Sequence, residues 1–147
     1  MRTKIGVGLA VSLALLSACA GSAYPPASQC PQPRFTGKAP EAIYKLSNPL
    51  SGNADEIASG RRFYEKDAKP ACQVCHGIMG DGQGPLAAQF DPPPRNFACA
   101  QTVNGIPDGQ LFWIIRNGSP GTSMPSFHAL RDEQVWQLVS YLRALAR

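Results

Sequence analysis

Cys72-Gln73-Val74-Cys75-His76 is the stretch on which the reading of this chain turns. With 5 Cys and 2 His among 147 residues, such a pentad arises by chance in about 0.2% of chains of this composition. Three chemistries use two thiols at this spacing. A thiol–disulfide exchange pair sits at a helix start behind a strand and has no use for His76. A zinc site needs four ligands, and the adjacent Cys75 and His76 point in different directions. Covalent attachment of a c-type haem uses all three residues: the thiols add to two vinyl groups and the neighbouring imidazole reaches the iron. Two intervening residues let one helical turn present both sulfurs to one porphyrin edge, and the haem reading is the one adopted here.

The opposite face of the iron then needs an occupant, and the candidates are Met79, Met124, His128 or nothing. Met79 lies three residues after His76, on the proximal side, and cannot reach the far face. Met124 stands in Gly121-Thr122-Ser123-Met124-Pro125, where Gly121 and Pro125 prevent a helix and allow the sulfur to be aimed from a loop. A lone Met in a small domain is ordinarily core filler, but the loop setting favours ligation. His128 is the runner-up, with a surface or propionate-side role as its alternative.

From Asn53 to Arg147 the chain resembles a class I, mono-haem cytochrome c domain of bacteria. The matching residues are Gly60-x-x-x-Tyr64, Cys72-x-x-Cys75-His76-Gly77, Gly80-Asp81-Gly82-x-Gly84-Pro85, Pro92-Pro93-Pro94-Arg95-Asn96-Phe97, Met124-Pro125 and Leu138-Val139-Ser140-Tyr141-Leu142. The resemblance implies an all-α fold, three main helices around one covalently bound haem, with His76 and Met124 as axial ligands. It also implies that the Gly82–Pro85 loop covers the proximal side and that the Pro85 carbonyl accepts from His76 Nδ1–H, fixing the imidazole. The first and last helices cross closely in this family, and Gly60 and Tyr64 against Leu138 and Tyr141 are the matching residues.

The helical pattern agrees. Asn53–Lys66 reads as the first helix with Asn53 as cap, and Asp108–Asn117 as a middle helix stopped by Gly118 and Pro120. Asp132–Ala146 reads as the last, with Val135, Leu138, Val139, Leu142 and Leu145 on one face. Arg131 stands where the family often has Ser or Asp. An Arg side chain cannot accept a capping bond, so Asp132 is expected to cap and shift the start by one residue. Arg95 and Trp113 are candidate contacts for the haem propionates, the alternatives being a solvated Arg and a core Trp.

The first residues belong to a different problem. Arg2 and Lys4 precede an apolar run, Ile5–Leu16, that is too short to span a bilayer and reads as a secretory signal. Leu16-Ser17-Ala18-Cys19 resembles the lipobox of bacterial lipoproteins, which implies a diacylated Cys19 at the mature N-terminus and a hold on the outer or inner membrane. Arg2 and Lys4 leave with residues 1–18, so half of the formal +4 belongs to that segment. Residues 19–51, with Pro25, Pro26, Pro31, Pro33 and Pro40, read as a Pro-rich tether, and 52–147 as the cytochrome c domain. Cys30 and Cys99 remain once lipid and haem have taken Cys19, Cys72 and Cys75. In an oxidising compartment they suggest a disulfide, the alternative being free or intermolecular thiols.

No Lys/Arg-rich run supports nucleic-acid binding, and 2 His cannot build a multi-histidine metal site. The expected function is a periplasmic-side one-electron carrier rather than an enzyme, with redox-protein donor and acceptor and no small-molecule substrate. Its rivals are a ligand-binding haem sensor or enzyme, which needs an open distal position, and a haem-bearing subunit of a larger oxidoreductase.

Overall fold

A computed structural model describes residues 26–146; residues 1–18, read as a signal, and Cys19 lie outside the described residues. Among those described there is no β-strand, and six α-helices follow in order. They are α1 (Glu41–Tyr44), α2 (Ala54–Arg62), α3 (Gln73–His76), α4 (Ala100–Val103), α5 (Asp108–Asn117) and α6 (Asp132–Leu145). The fold class is all-α, with α2, α5 and α6 as its main helices.

Asn53 caps α2, its side chain accepting from the amides of Asp55 at 2.9 Å and Glu56 at 3.3 Å. The helix continues into a π-helical turn, Phe63–Asp67, so the single helix expected over 53–66 is built in two parts. α5 occupies the expected residues. α6 begins at Asp132 with Arg131 as its N-cap residue, so Asp132 does not cap. The Gln134 side chain accepts from the Arg131 amide at 2.8 Å instead, and Asp132 pairs with Arg116 at 3.2 Å.

The apolar face of α6 is buried throughout, from Val135 to Leu145, and it packs on α2. Gly60 permits that crossing: a Cβ there would lie 2.0 Å from the Gln137 carbonyl oxygen. One turn on, the rings of Tyr64 and Tyr141 meet edge to face, 5.2 Å between centroids. Across the core, Phe112 of α5 stacks on Trp136 of α6 at 4.3 Å.

The stretch read as a tether is packed onto the domain from Gln32 onward. Gln32 is 1% exposed, and Ala39 and Asn48 are also buried. Prolines hold this strap extended, and side chains take the place of the missing ladder of backbone bonds. Gln32 N donates to Thr102 Oγ1 at 2.8 Å, and Ala39 N to Gln110 Oε1 at 2.8 Å. Asn48 Nδ2 donates to Ser140 Oγ at 2.8 Å and to the Trp136 carbonyl at 3.0 Å, both on α6. Further along, α1 rests so closely on α5 that a Cβ at Gly109 would meet the Ile43 carbonyl oxygen at 1.8 Å. A disulfide joins Cys30 to Cys99, with Cα atoms 5.6 Å apart and a sequence separation of 69. On a chain-entropy account a loop of that size contributes about 4 kcal/mol.

Because the atom facing Gly60 is backbone, the helices must separate to admit a side chain. Gly60→Ala is expected to cost about 3 kcal/mol, the upper end of an overpacking penalty, and to lower the Tm by roughly 10–20 °C. Thermal unfolding of the variant checks this, and an unchanged Tm contradicts so close a crossing.

Candidate cofactor site

Between the helices lies a large, mostly apolar cavity with an empty volume, its mouth included, of about 1170 Å³. Cys72, Cys75 and His76 form part of one wall. Met124 reaches the same cavity from the Gly/Pro loop after α5, and Leu111, Ile114 and Leu138 contribute apolar surface. Residues 48 positions apart in sequence thus face one space.

α3 is a single turn, too short to hold itself, so the loop that follows supplies the support. The amides of Gly82, Gly84 and Leu86 donate to the carbonyls of His76, Cys75 and Val74 at 2.8, 3.1 and 2.9 Å. The Tyr64 hydroxyl donates to the Gly77 carbonyl at 2.7 Å, tying the end of the turn to the α2 segment. Phe97 stacks on the His76 ring with centroids 4.5 Å apart.

The imidazole of His76 is buried, and its Nδ1 lies 2.9 Å from the Arg95 carbonyl oxygen. A carbonyl only accepts, so this bond places the proton on Nδ1 and leaves the Nε2 lone pair available. The acceptor expected from the resemblance was Pro85. That residue is exposed and is not part of the cavity wall; the Pro-rich loop at 92–95, folded back by bonds from Phe97 N and Ala98 N to the Gly80 carbonyl, brings Arg95 to the ring instead. Burial lowers the His76 pKa to about 4; the Arg95 hydrogen bond opposes this, and the charges of Arg34 and Arg95 add to it. The ring is therefore neutral at physiological pH, as a metal-ligating imidazole must be.

The two thiols are not bonded to each other. Burial pushes Cys72 up to about 12 and also raises Cys75. A thiol–disulfide exchange site needs the opposite, a lowered thiol pKa on an accessible sulfur. Nor does a zinc site assemble: among the described residues no group of three or more His, Cys, Asp or Glu is placed to hold a metal ion. Donor set and surroundings instead suit a flat apolar macrocycle bearing an iron, with thiols and an imidazole at hand to hold it.

The remaining candidates separate clearly. His128 is exposed, with its Nδ1 3.1 Å from Ser126 Oγ, and takes no part in the cavity; Met79 is 48% exposed. Arg95 lines the cavity, its Nη1 donating to the Gln32 carbonyl at 3.0 Å. Trp113 does not. α5 turns Leu111, Ile114 and Ile115 toward the space, and at helical spacing that leaves Trp113 on the flank, where its ring lies against Gly37. A further cavity residue, Arg34, comes from the strap and was not singled out from sequence. Nothing in a Pro-rich stretch distinguishes an Arg aimed inward from a solvated one.

Residues 55–142 match a protein family described as cytochrome C oxidase, cbb3-type, subunit III. The chain is 34% identical over 64 residues to cytochrome c55X of Stutzerimonas stutzeri, a match that covers 43% of this chain and 47% of that one. It thus spans about half the length of that relative. Among solved structures it is similar to a reducing HAO-like protein complex of Kuenenia stuttgartiensis, with a TM-score of 0.59 and 28% identity. That likeness covers 81% of this chain and 52% of the other. Cytochrome cL of Methylophaga aminisulfidivorans MPT shares the fold, with a TM-score of 0.50 and 16% identity over 76% of this chain and 72% of that one.

Proposed function

The chain belongs to the cytochrome c oxidase, cbb3-type, subunit III family, a cytochrome c domain that carries covalent haem c, and from that premise we propose that it is a one-electron carrier held on a membrane by its lipidated N-terminus. The observation that carries this reading is the convergence of Cys72, Cys75, His76 and Met124 on one apolar cavity. In this reading the thiols of Cys72 and Cys75 would hold the haem through two thioethers, each S–H adding across one vinyl group, and His76 Nε2 and the Met124 sulfur would be the protein donors to its iron.

When bound, the haem supplies an Fe(III)/Fe(II) couple that exchanges one electron without making or breaking a substrate bond. The residues fit that task. His76 is oriented by the Arg95 carbonyl and braced by Phe97, so it does not reorient as charge changes. A thioether on the far side favours Fe(II) and raises the midpoint potential relative to a second imidazole. Two protein ligands leave no position for an exogenous one, which separates a carrier from a sensor or an oxygen-activating enzyme. Arg95, on the cavity wall, is positioned to pair with a propionate carboxylate.

Export and lipidation rest on the signal-like residues 1–18 and the lipobox-like Leu16–Cys19. Among the described residues no helix is long and apolar enough to cross a membrane. A second reading keeps the chemistry and changes the setting: the likeness to a chain of the HAO-like complex and the oxidase-subunit family favour a role as the haem-bearing subunit of a larger redox assembly.

Two outcomes are expected. The reduced protein, made in a host that attaches c-type haem, gives a low-spin spectrum that carbon monoxide leaves unchanged, whereas Met124→Ala binds carbon monoxide. Binding by the unmodified protein contradicts the closed site. Cys19→Ser moves the protein from the membrane fraction to the soluble one; an unchanged distribution contradicts the lipid anchor.

A further inference from the structure

The strap ahead of α2 lies outside the family match at 55–142, yet it supplies Arg34 and Thr36 to the cavity wall. Its route is fixed at several points. The disulfide anchors it at Cys30, and Gln32 is held on three sides: its amide by Thr102, its side-chain oxygen by the Asn96 amide at 3.1 Å, its carbonyl by Arg95. Two residues on, Arg34 Nη2 donates to the Pro93 carbonyl at 2.6 Å. Strap and Pro-rich loop are therefore zipped together, and each contributes one arginine to the cavity lining. The side chains lining the cavity include these two arginines and no Asp or Glu. Burial first, and the Arg34 charge second, push the Arg95 guanidinium down to about 10.

We propose that Arg34 is a second binding residue for the haem carboxylates, delivered by the disulfide-pinned strap, and that it acts with Arg95 to set the midpoint potential. This rests on the haem reading of the cavity. A haem brings two carboxylates into a space lined by two arginines, and guanidinium is the side chain best matched to a carboxylate in a partly dry site. A fixed positive charge at the cavity edge favours Fe(II) over Fe(III), so strap position becomes a determinant of the couple. The strap is then a structural part of the cofactor site in this chain rather than a spacer between lipid and domain.

The test is a redox titration of the holoprotein carrying Arg34→Gln, Arg34→Lys or the pair Cys30→Ser with Cys99→Ser, with thermal unfolding of each alongside. Arg34→Gln is expected to lower the midpoint potential, moving the equilibrium several-fold toward Fe(III), and Arg34→Lys to restore most of the shift. The double-serine protein is expected to shift in the same direction, because the strap loses its anchor while Arg34 is intact. A variant that melts earlier but keeps the original potential assigns Arg34 to packing alone and overturns the proposal. Where Arg34→Gln does not accumulate with haem, the double-serine protein decides: a lowered potential supports the proposal and an unchanged one overturns it. Absence of covalent haem from the unmodified protein overturns the haem reading itself, and the proposal with it.

Discussion

Everything in the site depends on three carbonyls. The single turn at Gln73–His76, with Cys72 as its N-cap, must present two thiols and an imidazole to one cavity, yet one turn of helix is not stable alone, and its last carbonyls have no partners within it. The amides of Gly82, Gly84 and Leu86 meet the carbonyls of His76, Cys75 and Val74 from behind. Each such bond contributes about 1 kcal/mol net, and leaving a buried carbonyl unmet costs more. The glycine-rich loop is therefore the mould of the attachment turn, and the close packing of α2 on α6 is the base against which the Tyr64 hydroxyl fixes its end.

The loop that carries Met124 is organised differently. Met124 is carried by a loop and needs no regular element, only a stop to α5 and a path back. Gly118, at φ +79°, ends the helix, and the Phe127 amide returns to the Ile115 carbonyl at 3.0 Å. Met124 is thus held by a loop alone, whereas His76 is fixed by stacking, burial and a carbonyl.

Legibility followed the range of the interaction. The pentad at 72–76, the period of α6 and the stop signals around α5 are local, and each could be read from spacing alone. Met124 was legible because Gly and Pro around it excluded a helix. The strap was not: prolines mark both loose linkers and extended segments, and what distinguishes them here is side chains far away in sequence, Gln110, Thr102 and Ser140, which accept its hydrogen bonds. The acceptor for His76 was missed for a related reason. Any residue offers a backbone carbonyl, so only the fold decides that Arg95 rather than Pro85 supplies it. Arg34 lay within the same strap, and Trp113 is off the cavity wall because the phase of α5 against the cavity is set by tertiary packing.

The most direct measurement is the mass of the intact protein after unfolding, purified from a host that attaches c-type haem, followed by mapping of the proteolytic fragment that spans 72–76. The expected result is the added mass of one haem, retained under denaturing conditions and localised to the fragment containing Cys72 and Cys75. An unmodified mass, with those two cysteines recovered as free thiols or as a disulfide with each other, would contradict the account at its centre.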